Sequence, residues 1–276
     1  MAKIELGSLG AAVAADRGDA LVDTAVELEE LGYATIWLTG GPLDNLRQIA
    51  DVVRATERAR VAAGVLSVDR FPSDDVAALY AELEAAHPGR FVVGLGGAHG
   101  PNPLATLNAY LDRLDSRSPT VPQAARVMAA LGPRMLDLAR DRAAGALPVL
   151  VTTDYVARAR ARLGADTTLA VEQLVVLAST PQRARQLARR PLGFLGRLPG
   201  YQRSFRRMGF ADDEIQRLVD RLVDAVVAWG DADSVAARLA EHRDAGADHV
   251  AVSVVTDSGR QPIAEWRDLA TRLAGT

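Results

Sequence analysis

The sequence contains no cysteine and only one lysine, Lys3, among its 276 residues. Without cysteine the chain has no disulfide, no thiolate nucleophile, no cysteine zinc site and no cysteine-held iron–sulfur cluster. Schiff-base enzymes and P-loop nucleotidases need a lysine at a loop or strand end. Lys3 instead opens the first short apolar run, so the sequence argues against these lysine-dependent chemistries.

A large excess of one charge and long hydrophobic runs are also missing. Lys and Arg number 32 against 35 Asp and Glu, so the net charge is −3 and no global basic surface attracts nucleic acid. No run approaches the roughly 18 apolar residues of a membrane span, and the N-terminal segment lacks the pattern of a signal peptide. We therefore expect a cytoplasmic protein that binds a small-molecule substrate and neither nucleic acid nor membranes.

The order of apolar runs predicts the fold. Each of eight runs is followed by a segment with helical spacing of apolar residues, and most runs do not alternate, which is typical of strands buried on both faces. We predict an α/β protein with a (β/α)8 barrel in one domain, 1–276; an open doubly wound sheet is the alternative. The predicted strands are 3–9, 34–38, 61–66, 91–96, 127–131, 147–151, 169–178 and 249–255.

One connection departs from this repeat. About 70 residues separate the seventh and eighth predicted strands, which is far beyond ordinary loop length. We expect a helical insertion at about 191–230, including an amphipathic helix at 212–229. Before the insertion, Thr180 and Pro181 form an N-cap and first-position pair. Asp154 is expected to cap the helix after the sixth strand, and a final helix is expected at 263–273.

In such barrels the active site lies at the C-terminal ends of the strands. These positions carry no pair of acids suited to glycoside hydrolysis, and the four histidines lack the spacing of a metal site. Small and hydroxylated residues suit a phosphate-bearing cofactor instead. The residues expected at this rim are Ser8, Gly10, Thr39, Gly40, Gly41, Ser67, Asp69, Arg70, Gly97, His99, Gly132, Thr152, Thr153, Ser179 and Thr256.

Four segments carry a resemblance to a known family. They read GYATIWLTGG, VAAGVLSVDRFP, HPGRFVVGLGGAHG and ALGPRMLDLARDRAAGALPVLVTTDYVARARARLG. Together they resemble the bacterial luciferase-like family, and within it the actinobacterial oxidoreductases that use the deazaflavin coenzyme F420. The resemblance covers nearly the whole chain. It implies a barrel enzyme that transfers a hydride between F420, or FMN as the alternative cofactor, and a small organic substrate.

The resemblance also assigns expected site residues. The family often has a non-prolyl cis peptide in the third strand behind the central ring of the cofactor, and the matching bond is Gly64 to Val65. His99 is the best candidate for acid–base catalysis near neutral pH. Members commonly form dimers, which makes a homodimer the candidate assembly. The other expected cofactor-binding residues are Thr39, Gly40, Ser67, Gly132, Pro133, Arg134, Thr152 and Thr153.

The sequence departs from the family in one respect. Several F420-dependent members have an acid–histidine pair after the second strand, where this chain has Thr39 and two glycines. Three alternatives therefore stay open: a cofactor-binding barrel that has lost catalysis, an FMN-dependent monooxygenase, and a barrel lyase that uses Asp69 or His99. Glu172 and Gln173 are expected to satisfy a buried arginine. Eight arginines between Arg183 and Arg207 are candidates for binding a phosphorylated, polyanionic cofactor tail.

Overall fold

The computed structural model describes residues 3–15, 20–39, 41, 43–116, 118 and 120–273. Eight parallel strands form a closed ring, in the order β1, β2, β3, β5, β6, β7, β8 and β10, and β10 pairs with β1 to complete it. The predicted (β/α)8 barrel is therefore confirmed. The strands are β1 (Leu9–Ala14), β2 (Thr35–Thr39), β3 (Arg60–Gly64), β4 (Leu66–Ser67), β5 (Phe91–Gly96), β6 (Arg126–Met128), β7 (Gly145–Ala146), β8 (Thr168–Leu177), β9 (Val227–Gly230) and β10 (His249–Val254).

Helices surround the ring and connect its strands. A short 3-10 helix, Gln123–Ala125, precedes β6. Within the described residues, no helix has both the length and the apolar character needed to cross a membrane. The helices are α1 (Ala20–Glu30), α2 (Arg47–Ala55), α3 (Ser73–Ala86), α4 (Pro103–Asp115), α5 (Pro133–Arg142), α6 (Thr153–Leu163), α7 (Pro181–Leu195), α8 (Pro199–Arg207), α9 (Asp212–Arg217), α10 (Asp220–Val226), α11 (Ala232–Asp244) and α12 (Ile263–Leu273).

The first strand lies later in the chain than the sequence predicted. Residues 3–8 close the N-terminal end of the barrel, where Leu6 is buried with the interior residues and its carbonyl accepts a hydrogen bond from Thr35. Gly7 has φ +72°, a conformation outside the strand region, so the extended strand begins only at Leu9. The prediction of strand 3–9 was therefore wrong by about one strand length.

Other boundaries also differ from the predictions. The predicted strand 61–66 is interrupted between Gly64 and Leu66, and the predicted strand 127–131 is Arg126–Met128. The sixth barrel strand is Gly145–Ala146 rather than 147–151, because Leu150 adopts φ +57° and interrupts extended structure. Thr152, not Asp154, caps the following helix, since its side chain accepts a hydrogen bond from the backbone N–H of Tyr155. Thr180 caps α7 in the predicted way, and α12 has the predicted bounds.

The helical insertion has its own small apolar core. Phe205, Phe210, Ile215 and Leu222 are buried together there, against the upper part of β8. The predicted helix 212–229 is instead two helices and a strand, because Leu218 has φ +47° and ends α9. The strand β9 that follows pairs with Leu174–Leu177 of β8 and ties the insertion to the barrel.

Two buried histidines stabilise the fold in their neutral form. His249 lies inside the barrel, where Trp37 Nε1–H donates to its Nε2 at 2.9 Å and its Nδ1–H donates to the Gly7 carbonyl at 2.8 Å. His242 of α11 contacts the side-chain carbonyl of Gln173 through Nε2 at 2.6 Å. Burial lowers the pKa of each imidazole to about 4. Both rings are therefore neutral at pH 7.

These histidines predict an acid-sensitive fold. Between about pH 6.5 and 4 these imidazoles are protonated in the unfolded chain but stay neutral in the folded protein. The free energy of unfolding therefore falls as pH falls, by at most about 3 kcal/mol per histidine. We expect His249→Gln to lessen the difference in urea-unfolding free energy between pH 7 and pH 4.5. An unchanged pH dependence in His249→Gln would contradict this account.

Candidate functional site

The C-terminal ends of the barrel strands meet in one mouth, and β2, β3 and β4 bring several predicted residues together there. Thr39 is in register with Gly64, and its hydroxyl donates to the Val13 carbonyl at 3.2 Å. The peptide bond from Gly64 to Val65 is cis, as the family resemblance implied. Ser67 follows in β4 and donates to the Gly97 carbonyl at 3.1 Å. These residues form one side of the mouth.

The floor between these strands is formed by small residues, and at Gly96 it has no room for a larger side chain. A methyl group added to Gly96 would lie 2.7 Å from Val65 Cγ2 and 2.8 Å from Ala129 Cβ. One added to Gly64 would lie 3.4 Å from the ring of Trp37, at ordinary contact distance. Small residues therefore leave a low, largely apolar surface at this depth. Such a surface fits the flat ring system of a flavin or deazaflavin.

The loops after β6 and β7 form the other predicted part of the site. Gly132 is the N-cap of α5 and Pro133 its first residue, and no side chain caps this helix. Tyr155 of α6 supports the preceding turn, because its hydroxyl lies 3.0 Å and 3.1 Å from the carbonyls of Ala130 and Leu131. Thr152 caps α6. The N-termini of α5 and α6 thus both open at the mouth, where backbone N–H groups attract anions.

Positive side chains gather at the N-terminus of α5, where a helix normally favours acids. The first turn has no acidic residue, and its second position is the exposed Arg134. Arg207, the last residue of α8, donates to the Leu131 carbonyl at 3.3 Å, and its guanidinium lies against Gly132. Neither arginine forms an ion pair with a carboxylate of a described residue. Two cations beside the positive end of a helix repel each other unless an anion binds between them.

Asp69 and His99 form an acid–histidine pair at the rim. Asp69 follows β4 and His99 follows β5, so neighbouring loops bring them together. The Asp69 carboxylate accepts the His99 backbone N–H at 2.8 Å and lies 3.2 Å from His99 Nδ1. The ring is 63% exposed, which leaves Nε2 open to a ligand. The pair stands after different strands from the family pair that the sequence lacks.

Some predicted rim residues lie elsewhere. Gly10 is near the N-terminal end of β1, where a methyl group would lie 2.7 Å from Nε2 of His249, and Ser8 precedes that strand. Both were wrongly placed because the first strand was predicted too early. Gly40 lies outside the described residues. Among the residues that the structure does describe, no three histidine or acidic side chains are grouped to hold a metal ion.

The prediction for Glu172 and Gln173 was wrong within the described residues, since neither side chain meets an arginine there. Gln173 points outward from β8 and contacts His242. Glu172 is on the opposite face, inside the barrel, where the side chain of Ser253 donates a hydrogen bond to it. Burial raises the pKa of the Glu172 carboxyl to about 7. The alternation of β8, with Ala170 and Glu172 on one face, was the signal for this placement.

The arginine-rich segment divides into two groups. Four of its arginines are occupied by carboxylates: Arg183 pairs with Asp257, Arg185 and Arg189 share Asp220, and Arg206 pairs with Asp212. Within the described chain, the other four form no ion pair. They are Arg190, Arg197, Arg203 and Arg207. Arg203 and Arg207 are one turn apart on α8 and share a face.

Comparisons with known proteins agree with the fold and the family resemblance. A family model described as luciferase-like monooxygenase matches residues 5–118 and 109–249. A search of curated proteins found no significant match to the sequence.

Solved structures of low sequence identity share the whole fold. An F420-dependent tetrahydromethanopterin reductase from Methanopyrus kandleri is 14% identical, with a TM-score of 0.77 and 99% of each chain covered. An F420-dependent secondary alcohol dehydrogenase bound to an F420–acetone adduct is 12% identical, with a TM-score of 0.74 over 99% of this chain and 98% of that one. The oxygenating constituent of 3,6-diketocamphane monooxygenase from Pseudomonas putida, in complex with FMN, is 13% identical, with a TM-score of 0.66 over 98% of each chain.

Proposed function

Since the chain belongs to the luciferase-like monooxygenase family, we propose that it transfers a hydride between coenzyme F420 and a small organic substrate. FMN is the alternative cofactor. The observation that carries the proposal is the cationic N-terminus of α5, where Arg134 and Arg207 flank an uncapped helix end. Both cofactors carry a phosphate, and an anion of that kind would satisfy the two cations and the helix end together.

The remaining parts of the mouth suit the rest of such a cofactor. The small floor formed by Gly64, Val65 and Gly96 would take the ring, and Thr39 and Ser67 border it. Arg203, one turn from Arg207 on α8, would extend the cationic path toward the polyanionic tail that distinguishes F420 from FMN. When bound, the ring would supply the hydride acceptor or donor, a chemistry that protein side chains lack.

His99 is proposed as the residue that exchanges a proton with the substrate. Its Nδ1 faces Asp69 at 3.2 Å, so the carboxylate would hold the ring in the orientation that leaves Nε2 toward the mouth. This arrangement is the same in kind as an orienting acid behind a catalytic imidazole. The Asp69–His99 pair also favours an active enzyme over a barrel that has lost catalysis. The pair lies at the exposed rim and does not serve to stabilise the barrel core.

Cofactor titration tests the proposal directly. We expect F420 to bind the purified protein with a Kd in the micromolar range or below, measured by fluorescence or calorimetry, and FMN to bind more weakly. Arg207→Gln should weaken binding of either cofactor by about tenfold or more, because a charge-assisted contact to phosphate contributes roughly 1.5–3 kcal/mol. Arg206→Gln, the adjacent arginine that pairs with Asp212, is the matched control and should leave the Kd unchanged.

Two outcomes would overturn the proposal. The first is failure of both cofactors to bind at tens of micromolar. The second is equal weakening by Arg206→Gln and Arg207→Gln, which would indicate general electrostatic attraction instead of a phosphate site beside α5. Tighter binding of FMN than of F420 would replace the deazaflavin with the flavin and favour the monooxygenase alternative.

A further inference from the structure

Glu172 is an ionisable side chain that faces the upper interior of the barrel. It is the fifth residue of β8 and shares its face with Ala170, which packs in the barrel interior. It is in register with Ala251 of β10 and bridges to Val149 after β7. Among the described residues of the neighbouring strands, those that face the barrel interior at the same level as Glu172 are small or apolar. The residue is nevertheless only half-buried, and because apolar side chains fill the barrel interior below it, its exposed part lies toward the mouth.

Within the described part of the chain, no cation compensates this carboxyl. From β10 the hydroxyl of Ser253 donates to it. The segment after β7 contacts the backbone of Glu172 instead, because the Glu172 N–H donates to the Pro148 carbonyl at 3.0 Å and the residue bridges to Val149. From α8 of the insertion it faces Tyr201, whose phenol pKa is raised by burial and by the charge of Glu172. Among the described residues, no lysine, arginine or histidine acts on it. Of these neighbours, only Tyr201 titrates.

Burying a carboxyl in such a place lowers the stability of the fold unless the group is paired, so an unpaired one points to a role in binding. Buried carboxyls are usually paired with a cation, and the charged form is disfavoured where none is present. Glu172 therefore holds a proton over part of the neutral range and presents an O–H donor to the mouth. The Ser253 hydroxyl donates to one carboxyl oxygen of Glu172. The other oxygen, when protonated, can donate to a ligand that accepts a hydrogen bond.

We propose that the protonated carboxyl of Glu172, supported by Ser253 and Tyr201, donates a hydrogen bond to a carbonyl oxygen of the molecule bound in the mouth. Binding of that molecule then keeps the Glu172 carboxyl protonated. The inference deepens the proposed function and rests on it for what occupies the mouth. The carbonyl can belong to the cofactor ring or to an organic substrate, and the hydrogen bond is the same in both. Glu172 then selects oxygen-bearing ligands over hydrocarbons of equal shape.

Titration of the carboxyl in the intact protein tests this inference without turnover. In protein labelled with ¹³C at the glutamate carboxyl carbons, the Glu172 resonance is assigned by its loss in Glu172→Gln. It is followed from pH 5 to 9 in the free protein and with F420, FMN or cyclohexanone. We expect titration near pH 7 without ligand and a midpoint at least one pH unit higher with one of the three. That ligand identifies whether cofactor or substrate supplies the carbonyl.

Binding as a function of pH gives a second readout. In the wild-type protein the Kd of that ligand should rise about tenfold per pH unit between the midpoint of the free protein and the higher midpoint of the complex, because binding favours the protonated carboxyl. Glu172→Gln keeps an N–H donor but cannot titrate, so its Kd should not change with pH. Ser253→Ala removes the hydrogen bond that stabilises the carboxylate and should move the midpoint to higher pH. Circular dichroism of both variants confirms that they are folded.

The outcomes separate this inference from the proposed function. If F420 or FMN binds but none of the three ligands moves the Glu172 resonance, the inference fails and the proposed function stands. If neither cofactor binds while cyclohexanone raises the midpoint, the proposed function fails and the carbonyl site stands. Titration of Glu172 near the ordinary glutamate value, or a Kd in Glu172→Gln that follows pH like the wild type, overturns the inference.

Discussion

Gly94→Ala is expected to prevent the barrel from closing. Gly94 lies in the middle of β5, and a methyl group on it would overlap the backbone carbonyl oxygen of Ala63 and lie 2.9 Å from its carbonyl carbon. Ala63 cannot move away, because it is paired in register with Leu38 on the far side of β3. Overpacking against backbone cannot be relieved by a change of rotamer. The free energy of unfolding should therefore fall by about 4 kcal/mol or more.

Soluble yield and urea unfolding followed by circular dichroism would measure this effect. Gly193→Ala is the matched control, since Gly193 is in α7 and a methyl group there meets no atom within 4 Å. Because alanine has the higher helix propensity, the control should be unchanged or more stable by up to about 1 kcal/mol. Recovery of Gly94→Ala in soluble form with a stability within about 1 kcal/mol of the wild type would refute the close approach of β3 and β5.

His99→Asn is expected to lower kcat by about 10²- to 10⁴-fold, the usual contribution of a positioned acid or base. Asp69→Asn should lower it less, because the amide oxygen can still accept the His99 backbone N–H while the charge beside Nδ1 is lost. The affinity for F420 should stay the same in both variants, since neither side chain belongs to the proposed phosphate or ring contacts. The reaction to follow is cofactor oxidation or reduction with a panel of enones, alcohols and aldehydes.

His87→Asn provides the control, because His87 ends α3 and makes no contact with the Asp69–His99 pair. It should retain the kcat of the wild type. A kcat within threefold of the wild type in His99→Asn would remove His99 from the chemistry. Loss of F420 affinity together with kcat would instead assign the residue to cofactor binding.

The fold was predictable because the strand–helix repeat is a local pattern. Unalternating apolar runs at β5 and β10 and the N-cap at Thr180 follow from side chains and their neighbours in sequence. Boundaries set by positive φ were not predictable, since Leu150 and Leu218 are residues that seldom adopt it. The strand β9 was also not predictable, because it pairs with Leu174–Leu177 of β8, which lie about 50 residues earlier in the chain.

The site was predictable only in part. The cis bond at Gly64 and the turn at Gly132 were indicated by the family resemblance, whereas their roles toward a cofactor stay predictions. Asp69 and His99 are 30 residues apart in sequence, so only the adjacency of β4 and β5 reveals them as a pair. Glu172 was misread because a buried acid usually meets a cation, and sequence alone does not show that it faces the mouth.

The single lysine has a practical consequence for handling the protein. Lys3 pairs with Asp248 at 2.6 Å, just before β10, and so lies at the N-terminal end of the barrel. The mouth is at the opposite end. A reagent that attacks ε-amines would therefore attach a fluorophore or a solid support to the base of the barrel. Protein coupled to a sensor surface through Lys3 would present its ligand-binding end to the flowing solution.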